Sequence, residues 1–285
     1  MANKYNTQLQ SNNTDLQAIL TSINELPEAG AGGDTSMEDG LITGQGTNYI
    51  NDRVTSIGSS VFFEHKNLIT VSFPNVTSIG ESAFYNCTNL ATVSFPNATY
   101  IANNAFYKCT GLTTASFPNV ISMGSSIFHS CYSLATANFP VCTSINRCAF
   151  IYCTNLTTAN FPNTTYIGSS AFQNCTGLTT VSFPSATIIE AYAFYGCGGL
   201  TTVSFPNAAF IYFAAFRNCT GLKSLYLTGS KVCQLGTSTV FAGTPIGDYS
   251  TVAGTYGSIF VPASLVSKYQ AATNWTYFSS RFVGI

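Results

Sequence analysis

The residues of this chain that could cut, transfer or ligate are few: ten Cys, two His and eleven Asp and Glu in 285 residues. Seven cysteines recur every 22 residues, at Cys87, Cys109, Cys131, Cys153, Cys175, Cys197 and Cys219, and Cys142, Cys148 and Cys233 fall outside the series. A metal site needs close-spaced Cys or His ligands. No such set is present, so neither a metal nor another cofactor is expected. His65 and His129 have no carboxylate partner or obvious nucleophile, and strings such as Gly168-Ser169-Ser170 recur as turns, not as a nucleophile elbow. Beyond residue 81 the only carboxylates are Glu190 and Asp248, which makes paired acid–base work improbable. The chain is expected not to be an enzyme.

What remains is the chemistry of contact. The position two places before each cysteine of the series varies, reading Tyr85, Tyr107, His129, Ile151, Gln173, Tyr195 and Arg217, with Lys108 and Tyr152 one place later. Aromatic and cationic groups with few competing acids suit packing on sugar rings and contact with anionic groups. The candidate binding residues are therefore Tyr85, Tyr107, Lys108, His129, Arg147, Tyr152, Tyr195 and Arg217. Tyr166, Ile188, Tyr192, Phe210, Tyr212 and Phe213 add further bulk toward the C-terminus. A second series, Thr70, Thr92, Thr114, Thr136, Thr158, Thr180 and Thr202, is paired with Ser72, Ser94, Ser116, Asn138, Asn160, Ser182 and Ser204. Regular hydroxyls could match an ice lattice, the least favoured reading; β-branched polar residues on an exposed sheet face explain them without it.

Charge narrows the partners. Net charge is −1, and only 7% of residues are charged, so nucleic acid is not an expected partner. The longest apolar run, 208 to 216, is far below the roughly 20 residues that span a bilayer, and no membrane insertion is expected. Residues 1–8 have no apolar core of the kind a secretory signal needs, so export by the general route is not expected.

The elements that must position these side chains follow from the 22-residue period. Phe-Pro pairs begin at Phe73, Phe95, Phe117, Phe139, Phe161, Phe183 and Phe205, and Leu, Ile and a second Phe keep the same step. Each unit reads as one coil of a solenoid. In Leu90–Phe95 the alternation points Val93 and Phe95 inward and Thr92 and Ser94 outward, a short strand, and Pro96 ends it for want of an N–H. Tyr100-Ile101 reads as a second extended piece, and Asn104 to Cys109 as a short helical turn. A lone coil buries too little to fold, so stability must come from stacking. Parallel stacking brings cysteine Cα atoms about 4.8 Å apart but aims their Cβ atoms alike, which disfavours bridges. Buried free thiols are expected; Cys142 with Cys148 is the one pairing left open, against which stands synthesis in a reducing cytosol.

The unit Leu-x-x-Val-x-Phe-Pro-x-x-x-x-Ile-Gly-x-x-Ala-Phe-x-x-Cys-x-x resembles the BspA-like leucine-rich repeat of bacterial surface proteins over roughly residues 54 to 227. The resemblance implies an α/β repeat solenoid: a right-handed arc of 22-residue coils, mostly β with short helical turns, with its parallel β-sheet on the concave side. It also implies adhesive, non-enzymatic recognition. Residues 257–285 resemble the ending common to such chains. Ile259-Phe260-Val261 reads as a last strand, Pro262 as a helix start, and Leu265, Val266, Tyr269 and Trp275 as the cover of the final coil.

The head is different material. Leu9, Leu16 and Ile23 fall seven apart, with Ile19 and Leu26 three residues after the last two, an a/d seam for a short N-terminal helix that could form a coiled coil. Gly30 to Gly33 then break it. The expected organisation is an anchor helix over 1–29, a Gly-rich linker over 30–47, the solenoid over 48–243 and a cap over 244–285. The head is similar to the N-termini of tail-associated proteins of phages and prophages. The reading is thus a receptor-binding component of a phage tail or related particle: a homo-oligomer by residue pattern, joined to other particle proteins through Leu9, Leu16, Ile19, Ile23 and Leu26, and contacting a host-surface glycan or protein. The alternatives are a bacterial cell-surface adhesin and a structural virion decoration.

Overall fold

The computed structural model describes residues 48–247 and 257–285. The anchor residues Leu9, Leu16, Ile19, Ile23 and Leu26 and the linker lie outside them. The described chain is a β-solenoid of about ten coils of about 22 residues. Its main ladder takes one three-residue strand from each coil: β1 (Asn48–Ile50), β3 (Thr70–Ser72), β5 (Thr92–Ser94), β7 (Thr114–Ser116), β9 (Thr136–Asn138), β11 (Thr158–Asn160), β13 (Thr180–Ser182), β15 (Thr202–Ser204) and β17 (Ser224–Tyr226). A second ladder takes two residues per coil: β2 (Ser56–Ile57), β4 (Ser78–Ile79), β6 (Tyr100–Ile101), β8 (Ser122–Met123), β10 (Ser144–Ile145), β12 (Tyr166–Ile167), β14 (Ile188–Ile189), β16 (Phe210–Ile211) and β18 (Gln234–Leu235). Every pairing is parallel, and Val71 faces Val93 as Ile79 faces Ile101, so a sequence column becomes a row in space.

The third side of each coil differs from the expected helical turn. Tyr107 N–H donates to Asn104 O (3.0 Å) and Cys109 N–H to Phe106 O (3.1 Å), which makes successive β-turns. The alternate amides of Asn104, Phe106 and Lys108 donate instead to Ser125, Ile127 and His129 of the next coil, at 2.8 to 3.0 Å. A helix cannot form because Asn104 and Lys108 hold φ of +56° and +57°, in the left-handed region. The turn side is therefore a third inter-coil ladder.

Inside, Phe62, Phe84, Phe106, Phe128, Phe150, Phe172, Phe194 and Phe216 stack face to face with centroids 5.0 to 5.3 Å apart. The Phe-Pro phenylalanines form a second buried row. Its spacing widens to 6.2 Å between Phe95 and Phe117 and between Phe161 and Phe183. Those are the two places where the main ladder divides, between β5 and β7 and between β11 and β13. The second ladder divides once, between β8 and β10, where Asn146 Nδ2 donates to Met123 O at 2.6 Å and the side chain takes over a ladder bond. Asn after Phe-Pro also has a role: Asn97, Asn119, Asn163 and Asn207 donate to the preceding coil's proline carbonyl at 2.7 to 2.9 Å.

The C-terminal residues cover the last coil. β19 (Ser258–Val261) pairs with β17, and a further strand, β20 (Phe282–Gly284), pairs with β19, so Ile259–Val261 is the penultimate strand. After Pro262 a 3₁₀ turn (Ala263–Leu265) leads into helix α1 (Val266–Ala271). Leu265, Tyr269 and Trp275 are buried, and Trp275 Nε1 donates to Cys233 O at 2.7 Å. Val266 packs only partly buried.

Candidate binding surface

The variable position immediately follows each inner-row phenylalanine on the turn side, so the backbone that points Phe84 or Phe106 inward turns the next residue out. The 22-residue register then aligns those residues. Phe63, Tyr85, Tyr107 and His129 form a continuous stack, with centroids 4.9, 4.8 and 4.6 Å apart and planes within 16°. Tyr152 closes the row edge-on to His129 at 5.9 Å. Phe63, about half exposed at 49%, was not among the candidate residues; its place 22 residues before Tyr85 is the signal that could have found it. Ile151 is buried and Gln173 is not aromatic, so the row stops there.

Flanking this strip, one place later in each coil, run Glu64, Asn86, Lys108, Ser130 and Tyr152. Glu64 Oε1 accepts from Asn86 Nδ2 at 3.0 Å, Lys108 Nζ lies 5.7 Å from the Tyr107 centroid, and His129 Nδ1 meets Ser130 Oγ at 2.9 Å. Burial, and secondarily Lys108, hold the His129 imidazole below its ordinary pKa, so the strip's cation near neutral pH is Lys108. Lys108, Arg147 and Arg217 are exposed, and no ion pair joins them to a carboxylate among the described residues. Lys108 and Tyr152 both sit at positive φ, +57° and +60°. Asn86, Asn174, Gly196 and Asn218 hold the same register place, residue types that tolerate such backbone; a tyrosine there is strained.

The candidate residues do not form one site. Tyr85, Tyr107, Lys108, His129 and Tyr152 come together. Tyr195 stands apart, packed against Tyr192 at 5.8 Å, with its hydroxyl accepting from Asn218 Nδ2 at 3.1 Å. Nothing in the ring stack includes Arg147 or Arg217. The stacking also changes how the strip could bind. The faces of Tyr85 and Tyr107 are covered by their neighbours, so these rings offer edges and hydroxyls, not platforms for a sugar.

On the main ladder the Thr and Ser columns lie in parallel register and mostly exposed. Some of their polar neighbours bond between coils: Asn160 Nδ2 donates to Asn138 Oδ1 at 2.6 Å and Asn138 Nδ2 to Ser116 Oγ at 3.3 Å. All ten cysteines are free thiols, nine of them buried. From Cys87 to Cys219 each Sγ of the series donates to the carbonyl of the inner-row phenylalanine 25 residues earlier, at 2.9 to 3.1 Å. The column is thus a row of small buried donors. Burial pushes the Cys87 thiol up to about 12 and Cys142 up to about 11, which keeps the reactive thiolate scarce. Among the described residues no three His, Cys, Asp or Glu side chains converge to hold a metal ion, and no helix is long and apolar enough to cross a membrane.

A family model described as the BspA type leucine rich repeat region matches residues 47–157 and 143–254, in six copies. No curated protein matches the chain. Among solved structures it is similar to a Treponema pallidum leucine rich repeat protein, at 26% identity over 62% of this chain and 78% of that one, with a TM-score of 0.46. It is also similar to a leucine rich cell surface protein of Faecalibacterium prausnitzii, at 22% identity over 78% of this chain and 83% of that one, with a TM-score of 0.42.

Proposed function

The chain belongs to the BspA-type leucine-rich repeat family, and we propose that it is a non-enzymatic recognition protein whose ring strip contacts an extended, anionic host-surface polymer, glycan or protein. The carrying observation is the row Phe63–Tyr85–Tyr107–His129–Tyr152 with Lys108 beside it. In a repetitive frame, these coils present edges, hydroxyls and a cation without a carboxylate partner. Each contact is weak, and affinity comes from several contacts along the row multiplied by oligomeric presentation.

The carrier in this proposal is a phage-type tail or related particle, joined through residues 1–29. The support is the heptad spacing of Leu9, Leu16 and Ile23 and the similarity of the head to tail-associated proteins. The test uses fluorescent full-length protein and a chain lacking residues 1–30 against panels of intact bacterial and mammalian cells, with light scattering on both. The reading expects the full chain to be oligomeric and to bind particular bacteria, with binding falling as salt screens Lys108. Truncation should leave a folded monomer that binds weakly. A truncated chain of unchanged oligomeric state would assign assembly to the solenoid, and binding confined to mammalian cells would replace the tail carrier with a cell-surface adhesin.

A further inference from the structure

The late coils depart from the repeat frame at three places in one surface region, and the departures bring unlike chemistry together. In the register place held by Gly58, Gly80, Ala102, Gly124, Asn146 and Gly168 stand Glu190 and Tyr212, the two bulkiest departures. A Cβ added at Gly80, Gly124 or Gly168 would come within 2.6, 2.5 or 2.8 Å of the preceding coil, so those coils are closed to a side chain that the coils of Ala102 and Asn146 admit. Tyr192 holds φ of +61° where other coils place the smaller Ser60, Ser82, Asn104, Ser126, Cys148, Ser170 and Ala214. A bulky residue in that backbone is an outlier, and such strain gathers at binding sites.

Around these three lie Tyr166, Phe210, Phe213 and Tyr195. Tyr192 meets Phe213 edge-to-face at 5.2 Å and 84°, Tyr192 meets Tyr195 at 66°, and Phe210 covers one side of Tyr212 at 4.2 Å and 36°, leaving the other side to a ligand. None of these pairs is parallel, so no ring is sandwiched as Tyr85 and Tyr107 are. Tyr212 and Phe213 are each 37% exposed. The residue in register after Tyr212 is Gly236 and the one before Phe213 is Ala191, neighbours too small to cover a ring. Glu190 is half-buried; its Oε2 accepts weakly from Ala191 N–H at 3.4 Å, and burial, and secondarily the Glu190 carboxylate, hold the Tyr166 hydroxyl above its ordinary pKa. It is the only carboxylate beyond Glu81 among the described residues.

We propose that this cluster is a carbohydrate site, separate from the ring strip, that takes a neutral pyranose. Tyr212 and Phe213 lie under the apolar C–H face of the sugar, and Glu190 accepts from its hydroxyls. Open aromatic faces beside one carboxylate acceptor suit a ring that is apolar on its face and hydroxylated at its rim. The carboxylate's own charge selects against uronic and sialic acids.

The test is binding of the full chain to an array of neutral and acidic oligosaccharides. Wild-type protein is expected to retain neutral hexose-bearing glycans. Tyr212→Ala with Phe213→Ala should weaken that binding at least about tenfold, and Glu190→Gln should weaken it less. Tyr85→Ser with Tyr107→Ser should leave it unchanged, which separates this site from the strip. Tyr212→Gly puts back the commonest residue of that place, so it should remain folded and still lose sugar; it keeps the test informative if the double variant fails to fold. An array on which wild type retains nothing, or acidic glycans only, overturns the proposal. So does neutral-glycan binding that survives both Tyr212 variants, and a cluster that binds only protein would appear as the first of these outcomes.

Discussion

Two rows of rings run side by side through this solenoid, one inside and one outside. Both stack at nearly the same spacing, 5.0 to 5.3 Å for the inner phenylalanines from Phe62 to Phe216 and 4.6 to 4.9 Å for Phe63, Tyr85, Tyr107 and His129. The inner row never changes residue over eight coils; the outer one breaks at Ile151 and Gln173. The frame alone therefore sets where side chains stand, and residue identity alone sets what the surface does. Stacking outside is a by-product of register, whereas stacking inside is what holds the coils together.

The largest effect should come from the inner row. Phe150 is buried against Phe128, Phe139, Phe161 and Phe172, and Phe150→Ala should lower unfolding free energy by about 3 to 5 kcal/mol. An unchanged denaturation midpoint would remove the distinction between the rows. The outer counterpart, Tyr85→Ser with Tyr107→Ser, should cost less although it removes three ring pairs, because each pair contributes only roughly 0.5 to 1.5 kcal/mol and the half-buried rings leave no internal cavity. A loss equal to that of Phe150→Ala would make the strip structural.

A smaller effect, of opposite sign, is expected at Tyr152. Relieving its left-handed backbone by Tyr152→Asn should raise stability by roughly 0.5 to 1 kcal/mol while weakening surface binding, and thermal melts with binding in parallel would check both. The smallest is a pH response. Burial lowers the His129 pKa below 6.5, so as pH falls through 6.5 the unfolded chain takes up a proton that the folded chain resists. Stability should fall from there down through the folded pKa. In His129→Gln that part of the slope between pH 7 and 5 should be absent; an identical slope would mean that other groups carry it.

The coil, its parallel register, the free thiols and the buried Trp275 were legible in the sequence because a strict period converts columns into rows. The turn side was not. Asn104 to Cys109 has the composition of a helical turn, and only the positive φ at Asn104 and Lys108 shows that inter-coil bonds outcompete it. The strip is legible as a column from Tyr85 through His129, with Tyr152 in the next column, but Phe63 is missed. Tyr195 was grouped with residues it does not touch, since one column spans the whole solenoid while a patch spans a few coils. That Tyr85 and Tyr107 cover each other's faces could not be read from residue types at all, because it depends on ring planes.

The central claim is that recognition resides in the outer row, and cell binding by paired variants tests it most directly. Tyr85, Tyr107 and Tyr152 would be changed together to Ser, and Thr114, Thr136 and Thr158 together to Lys, each checked for an intact melting transition. The account predicts that binding to the recognised cells collapses in the first variant and persists in the second. Binding that survives the loss of the three tyrosines and disappears with the three threonines would place recognition on the main ladder and contradict it.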